Sequence, residues 1–258
     1  MRRAADGNKS GMEAIATAVC GTGRWLIDLA LPPRCAGCGA IVDQLHSFCA
    51  DSWRQIEWLG DGGCVTCGLP LEGTDVETCA ACLARPPRIA RTRAAVAYGD
   101  ISRTLALRLK YSRKVAIAKT MARYMRPFAE ALPENALLIP VPLHRSRLWF
   151  RGFNQAVLVA SELSSLVGVP LERNLLRRVK RTVPLKGLGP RQRKEQVRGA
   201  FQVGDPRAVD GRVAVLIDDV LTTGSTAEAC AKALTKAGAS RVELICWARV
   251  VRPTQFMR

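Results

Sequence analysis

Between Asp218 and Thr226 the chain places two adjacent carboxylates, Asp218 and Asp219, then Val220 and Leu221, then Thr222, Thr223, Gly224, Ser225 and Thr226. The apolar run 213–217 before them reads as a buried parallel strand, and 227–234 after them is rich in helix formers. Hydroxyls and backbone N–H groups at a helix start sit at the positive end of its dipole and suit a phosphate. Gly224 lets the backbone approach an anion, and Ser225 or Thr226 can cap the helix when no anion is there. Carboxylates repel phosphate, yet they accept hydrogen bonds from sugar hydroxyls, directly or through a divalent cation. The stretch therefore suits a ligand whose phosphate lies one sugar length from a diol. A strand that merely ends in acids before a capped helix would account for Asp218 and Asp219, but not for the hydroxyl run.

A second chemistry resides in the cysteines, eight of whose ten lie in the first 82 residues. Cys64-x2-Cys67-Gly68 and Cys79-x2-Cys82 are two metal knuckles, and four thiolates from two tight turns make a closed tetrahedral zinc site. A disulfide cluster is the competing reading, disfavoured where no secretory signal is evident. Cys35-x2-Cys38-Gly39 with Cys49 is an earlier, incomplete set, because Ser52 stands where the second pair would close. His46, three residues before Cys49, can complete a Cys3His site. Otherwise the three cysteines are buried thiols. Cys20, Cys230 and Cys246 lie in helix- or strand-like contexts and read as small core residues.

Elements that could position these groups follow from periodicity. Residues 91–98 read as a strand, 101–111 as a helix with Ile101, Leu105 and Leu109 on one stripe, and 114–132 as an amphipathic helix. Residues 137–142 read as a buried strand followed by a loop carrying Arg145, Arg147 and Arg151, guanidiniums suited to pyrophosphate. A helix over 154–167 ends at Gly168, and 242–251 is a last buried strand. Strands alternating with helices over 91–251 predict an α/β fold with a doubly wound parallel sheet. Residues 173–198 carry ten basic side chains against Glu195, with glycines and a proline, and predict a long mobile loop able to close over an anion or hold a nucleic-acid backbone. Pro86-Pro87 closes the cysteine region, so the expected boundary separates residues 1–88, held mainly by metal, from 89–258.

With 39 basic and 22 acidic residues in 258, the formal charge is +17. That favours an anionic partner, or else a generally basic surface. The apolar stretch nearest to a membrane span, 12–31, is interrupted by Glu13, Arg24 and Asp28, so no membrane insertion is expected. A polar start without a cleavage site makes cytoplasmic residence the expectation.

The run from Asp218 to Thr226 resembles the phosphoribosyl pyrophosphate (PRPP) signature of type I phosphoribosyltransferases. Over about residues 25–251 the chain is similar to the ComF family of competence-associated proteins. The likeness rests on the CxxCG knuckles, Leu109-Lys110-Tyr111, Pro140-Val141-Pro142-Leu143 with Arg147, Arg151-Gly152-Phe153-Asn154-Gln155, and the acidic run itself. The chain departs from that family at Ser52, Leu185 and Gln196. The resemblance implies a phosphoribosyltransferase-like domain behind an N-terminal helix and double zinc ribbon. It implies that Asp218 and Asp219 are catalytic and contact the ribose, with Thr222, Thr223, Gly224, Ser225 and Thr226 around the 5′-phosphate. Arg147, Arg151 and Lys110 would bind PRPP, and Mg2+ would accompany it. It further implies displacement at the anomeric carbon through an oxocarbenium-like transition state, with the arginines offsetting charge on the leaving pyrophosphate. Metal ligands would be Cys64, Cys67, Cys79 and Cys82, then Cys35, Cys38, Cys49 and His46, holding structural Zn2+. The acceptor is left unassigned, and three classes stay open: a transferase, a PRPP-responsive regulator without turnover, and a single-stranded DNA accessory of the DNA-uptake machinery. A homodimer is an open alternative to a monomer.

Overall fold

Helical and strand periods along the chain resolve into a parallel sheet with helices on both faces, as the computed structural model shows for residues 32–60, 62–71, 76–111, 115–180 and 199–251, the side chains of Val115 and Arg147 excepted. In chain order the elements are α1 (Ala50–Gln55), α2 (Ala80–Ala84), β1 (Arg91–Ala97), α3 (Asp100–Tyr111), α4 (Val115–Glu130) and β2 (Ala136–Pro140). Then follow α5 (Arg145–Arg151), α6 (Gln155–Val167), β3 (Leu176–Arg178), β4 (Phe201–Val203), β5 (Val213–Leu221), α7 (Ser225–Lys236) and β6 (Arg241–Arg249). The main sheet runs β1-β6-β5-β2 with every pairing parallel.

Burial of both faces explains why β2, β5 and β6 are nearly continuous apolar runs rather than alternating ones. One face is covered by α3, α4 and α6 through Leu105, Leu109, Met121, Met125, Val159 and Leu163. The other is covered by α7 and the β3–β4 hairpin through Cys230, Ala231, Leu234, Leu176 and Phe201. Each large side chain so buried contributes about 1.5–3 kcal/mol. A buried ion pair, Arg93 Nη2 to Glu243 Oε2 at 2.9 Å, joins β1 to β6, and Arg93 also donates to the Phe128 carbonyl of α4 at 2.8 Å. A second of its nitrogens is thus satisfied beyond the pair itself, as a tolerated buried pair requires.

Topology sets where a ligand can bind. From β2 the chain passes through α6 to a parallel bridge between Leu171 and Leu138, on the outer side of β2. From β5 it passes through α7 to β6 on the opposite side. Adjacent strands whose connections leave in opposite directions open a crevice at their carboxyl ends. Asp218 and Asp219 stand at that end of β5.

The cysteine region is stitched onto the free edge of β1. Trp58 bridges Val96, the Leu59 N–H donates to the Ala95 carbonyl at 3.0 Å, and the Ala97 N–H donates to the Glu57 carbonyl at 2.8 Å. An open edge is thereby paired. Phe48 and Trp58 enter the main core, with ring centroids 6.4 Å from Trp247 and 4.9 Å from Tyr124 respectively.

Four expectations are corrected. Strand β5 continues through the acids to Leu221, because Asp218, Val220 and Leu221 stay in register with β6. The arginine segment after β2 is the helix α5, not a loop: His144 Nδ1 accepts from the Ser146 N–H at its start and Gly152, at φ 80°, ends it. Helix α7 is preceded by Gly224 at φ 73° rather than capped by the Ser225 or Thr226 side chain. The basic segment starting at Arg173 is regular over β3, which pairs antiparallel with β4. Residues 181–198, with Thr182, Leu185, Arg191, Arg193, Glu195 and Gln196, lie outside the described residues, as do Cys20 and residues 12–31.

Candidate active site and metal centres

Three segments far apart in the chain meet at the end of β5. Lys110, on the last turn of α3, places its ammonium 2.5 Å from Asp219 Oδ2. That oxygen is otherwise fully buried and lacks a partner in hydrogen-bond geometry, so the lysine compensates it chiefly by charge. Asp219 Oδ1 accepts from Gln155 Nε2 at 3.4 Å. Gln155 Oε1 in turn accepts from Arg151 Nη1 at 2.7 Å, and the Arg151 guanidinium lies 5.7 Å from the Tyr111 ring centre. Asn154 fixes the start of α6 by accepting from the Ala156 N–H at 3.0 Å and ties it to β2 by donating to the Val141 carbonyl at 3.0 Å.

Asp218 is the less compensated of the pair. Its Oδ1 accepts from the Asp219 N–H at 2.9 Å. Burial first, and the neighbouring Asp219 charge second, push its carboxyl well above the ordinary carboxylate range, although Lys110 pulls the other way. Part of the Asp218 surface still reaches solvent. An acidic pair held under strain of like charge fits a divalent cation, which would offset both charges at once.

Beyond the acids, Thr222 and Thr223 are exposed, and Gly224, Ser225 and Thr226 are half-buried. Thr223 Oγ1 and Ser225 Oγ lie 3.0 Å apart. No side chain among the described residues caps α7, so its first N–H groups face the turn. The structure thus brings together Asp218, Asp219, Lys110, Arg151 and the turn 222–226. Arg147 belongs to α5, but its side chain lies outside the described residues. Gln155 and Tyr111 were not singled out as site residues, and their place in two short runs beside Arg151 and Lys110 was the available signal.

The metal centres differ from each other. Cys64, Cys67, Cys79 and Cys82 converge with all ligand atoms within 4.8 Å. Cys67 Sγ and Cys79 Sγ are 3.8 Å apart, which is the edge of a tetrahedron about 2.3 Å from zinc to sulfur and far beyond a disulfide bond. Burial opposes ionisation of Cys64, but hydrogen bonds from the backbone N–H groups of Cys79 and Cys67 help outweigh it, lowering the thiol to about 6. Burial pushes Cys67 up to about 11 against the Leu69 N–H and the Arg249 charge, and burial together with the neighbouring thiols pushes Cys82 higher still. Thiols that resist joint ionisation in so small a space fit a dication, and these four would hold structural zinc.

Cys35, Cys38 and Cys49 form the other cluster, with Cys38 and Cys49 sulfurs 3.6 Å apart. Cys35 is lowered to about 6 because hydrogen bonds from Ser52 and nearby backbone outweigh burial. His46 does not join them. It adopts φ 61°, which turns the chain so that the ring meets the Ala116 carbonyl on α4, beside Lys119 and Arg123. The expected Cys3His set is therefore corrected: Ser52 Oγ stands 3.4 Å from Cys35 Sγ and 3.5 Å from Cys49 Sγ, where a fourth ligand would be.

Residues 26–83 match the double zinc ribbon domain, and residues 154–255 match the phosphoribosyl transferase domain. Over 211 residues, 80% of this chain and 90% of the relative, the sequence is 34% identical to the DNA utilization protein YhgH of Salmonella typhi. Over 221 residues, 82% of this chain and 94% of the relative, it is 30% identical to competence protein F of Haemophilus influenzae. Among solved structures, a purine phosphoribosyltransferase from Pyrococcus horikoshii Ot3 is similar over 57% of this chain and 79% of its own, with 21% identity and a TM-score of 0.32. No helix among the described residues is long and apolar enough to cross a membrane.

Proposed function

The chain belongs to the ComF family, with competence protein F and the DNA utilization protein YhgH, and from that premise we propose that it binds PRPP with magnesium at the end of β5 and transfers phosphoribose to an acceptor. One observation carries the proposal. Lys110 and Gln155 meet Asp219 from two helices and Arg151 of a third holds Gln155, beside an undercompensated Asp218 and an uncapped helix start.

In this reading the turn 222–226 and the first N–H groups of α7 bind the 5′-phosphate, and Asp218 and Asp219 bind the ribose hydroxyls. Magnesium, when bound, supplies charge neutralisation for the pyrophosphate and the acidic pair. Lys110 is released from Asp219 on binding and becomes available to a pyrophosphate oxygen. Arg151 stabilises charge on the leaving group while Tyr111 and Gln155 hold its guanidinium. The bond between the anomeric carbon and the pyrophosphate oxygen breaks, the acceptor donates an electron pair to that carbon, and the acceptor proton passes to solvent. The test is pyrophosphate release from PRPP across a panel of nucleobases, amines and single-stranded DNA. Acceptor-dependent release that disappears in Asp219→Asn supports transfer, whereas unchanged release in that variant refutes it. Tight PRPP binding without release on any acceptor assigns the regulator reading instead.

A second reading, a single-stranded DNA accessory, is favoured by α5. There Trp149 and Phe150 are 89% and 85% exposed within an arginine-bearing helix. Exposed aromatics among cations suit stacked bases along a phosphate backbone. Trp149→Ala with Phe150→Ala should weaken oligonucleotide binding about tenfold, and unaltered binding counts against α5 as the platform.

A further inference from the structure

We propose that the first half of the ribbon is a three-sulfur, one-oxygen zinc site, formed by Cys35, Cys38, Cys49 and Ser52, that exchanges its metal with solution, while the second half retains its zinc. Ser52 is 2% exposed on α1, and its Oγ meets the sulfurs of Cys35 and Cys49 at 3.4 and 3.5 Å. A tetrahedral zinc about 2.3 Å from sulfur and about 2.0 Å from oxygen places those atoms about 3.5 Å apart. The hydroxyl therefore stands at that spacing from two of the three sulfurs, on the side where a fourth donor is needed. A helical serine ordinarily bonds the carbonyl one turn back. Here the oxygen faces sulfur instead, and the Ser52 N–H also points at Cys49 Sγ, 3.5 Å away. The position is defined from the opposite side as well. A Cβ on Gly37, inside the Cys35–Cys38 knuckle, would come within 2.9 Å of Ser52 Oγ, so a glycine there lets the knuckle close over the hydroxyl.

An oxygen corner changes the behaviour of the site. Zinc in closed structural sites is held by thiolate and imidazole, and a neutral hydroxyl is a weaker and more replaceable donor that water can displace. With His46 committed to α4, nothing else among the described residues restores a fourth strong ligand. The two halves, alike in their knuckles, thus differ in how tightly they hold the same ion.

Metal release from the purified full-length chain tests this. Two zinc ions per chain are expected as isolated, one leaving in excess chelator about 100-fold faster than the other. Ser52→Cys should slow the fast ion to the rate of the slow one, and Ser52→Ala should speed its loss further. In the cobalt-loaded protein, the sulfur-to-metal charge-transfer band of the fast site should correspond to three sulfurs, and to four in Ser52→Cys. Equal slow release of both ions from the unaltered chain would overturn the proposal. So would release kinetics in Ser52→Ala matching the unaltered chain, or a chain that takes up one zinc only while Cys35, Cys38 and Cys49 alkylate freely.

Discussion

The second ribbon half and the end of β5 are both clusters of ionisable groups at tight turns, and they solve the problem of crowding in opposite ways. Cys64, Cys67, Cys79 and Cys82 face one another, with sulfurs at zinc-tetrahedron spacing, and need nothing beyond one ion to be satisfied. Asp218 and Asp219 stand at the carboxyl end of β5, the first half-buried and the second buried, with Lys110 compensating Asp219 and Asp218 left with its carboxyl pushed up by burial and its neighbour. A closed site stabilises the fold that builds it. An open one costs the fold stability and keeps that free energy for a ligand.

If this contrast is right, removing a ligand from each should move stability in opposite directions. Cys64→Ser should produce the largest effect. It should release the tightly held zinc and lower the melting temperature by about 10 °C or more, since structural zinc accounts for about 10–16 kcal/mol in small ribbons and a chain of this size loses about 2–4 °C per kcal/mol. A melting temperature unchanged by that substitution, measured beside zinc content, would break the comparison.

Asp218→Asn should act the other way, raising the melting temperature near neutral pH by about 2–4 °C, or about 1 kcal/mol. The sign follows from its raised carboxyl. Between the ordinary value of 3.8 and the native value, the folded chain holds a proton that the unfolded chain has lost. Stability therefore falls as pH rises through that window, and above it the full cost of the buried charge is present. The gain from Asn should vanish below about pH 4 and be complete above the native value, while PRPP binding is lost throughout. Thermal scans from pH 4 to 8 on both proteins check this, and a variant destabilised at neutral pH would contradict it.

The smallest effect concerns the link between the first ribbon half and the end of β5. Arg108 on α3 donates to the carbonyls of Ala36 and Gly37 in the first knuckle, at 3.1 and 3.2 Å, two residues before Lys110 reaches Asp219. Arg108→Ala should cost about 1 kcal/mol of stability and weaken PRPP binding a few-fold, by loosening the helix that carries Lys110. Equal PRPP affinity in that variant would separate the first ribbon half from the β5 site energetically.

Much of this was readable in order along the chain. The strand, acids, hydroxyl turn and helix from Val213 to Lys236 are contiguous, so their order in the fold follows from local pattern, as does each CxxC knuckle. What escaped reading depends on contacts across long separations. Gln155 lies 64 residues from Asp219, and only the meeting of α6 with β5 makes it a partner. Whether β5 stopped at Ile217 or ran to Leu221 was decided by its neighbour β6, not by its own residues. The spacing of His46 to Cys49 suited a ligand, but a positive φ turned the ring toward α4 and left the corner to Ser52, whose hydroxyl gave no metal signal in isolation. The pairing of residues 57–59 with the edge of β1 had no periodic signature, since it involves a bridge rather than a strand.

Calorimetry of PRPP with magnesium against the unaltered chain and Asp219→Asn tests the end of β5 most directly. One saturable, magnesium-dependent site per chain is expected in the first, and at least about 100-fold weaker binding in the second. Binding that is absent in the unaltered chain, or equally tight in the variant, would contradict the assignment of β5 as a PRPP site.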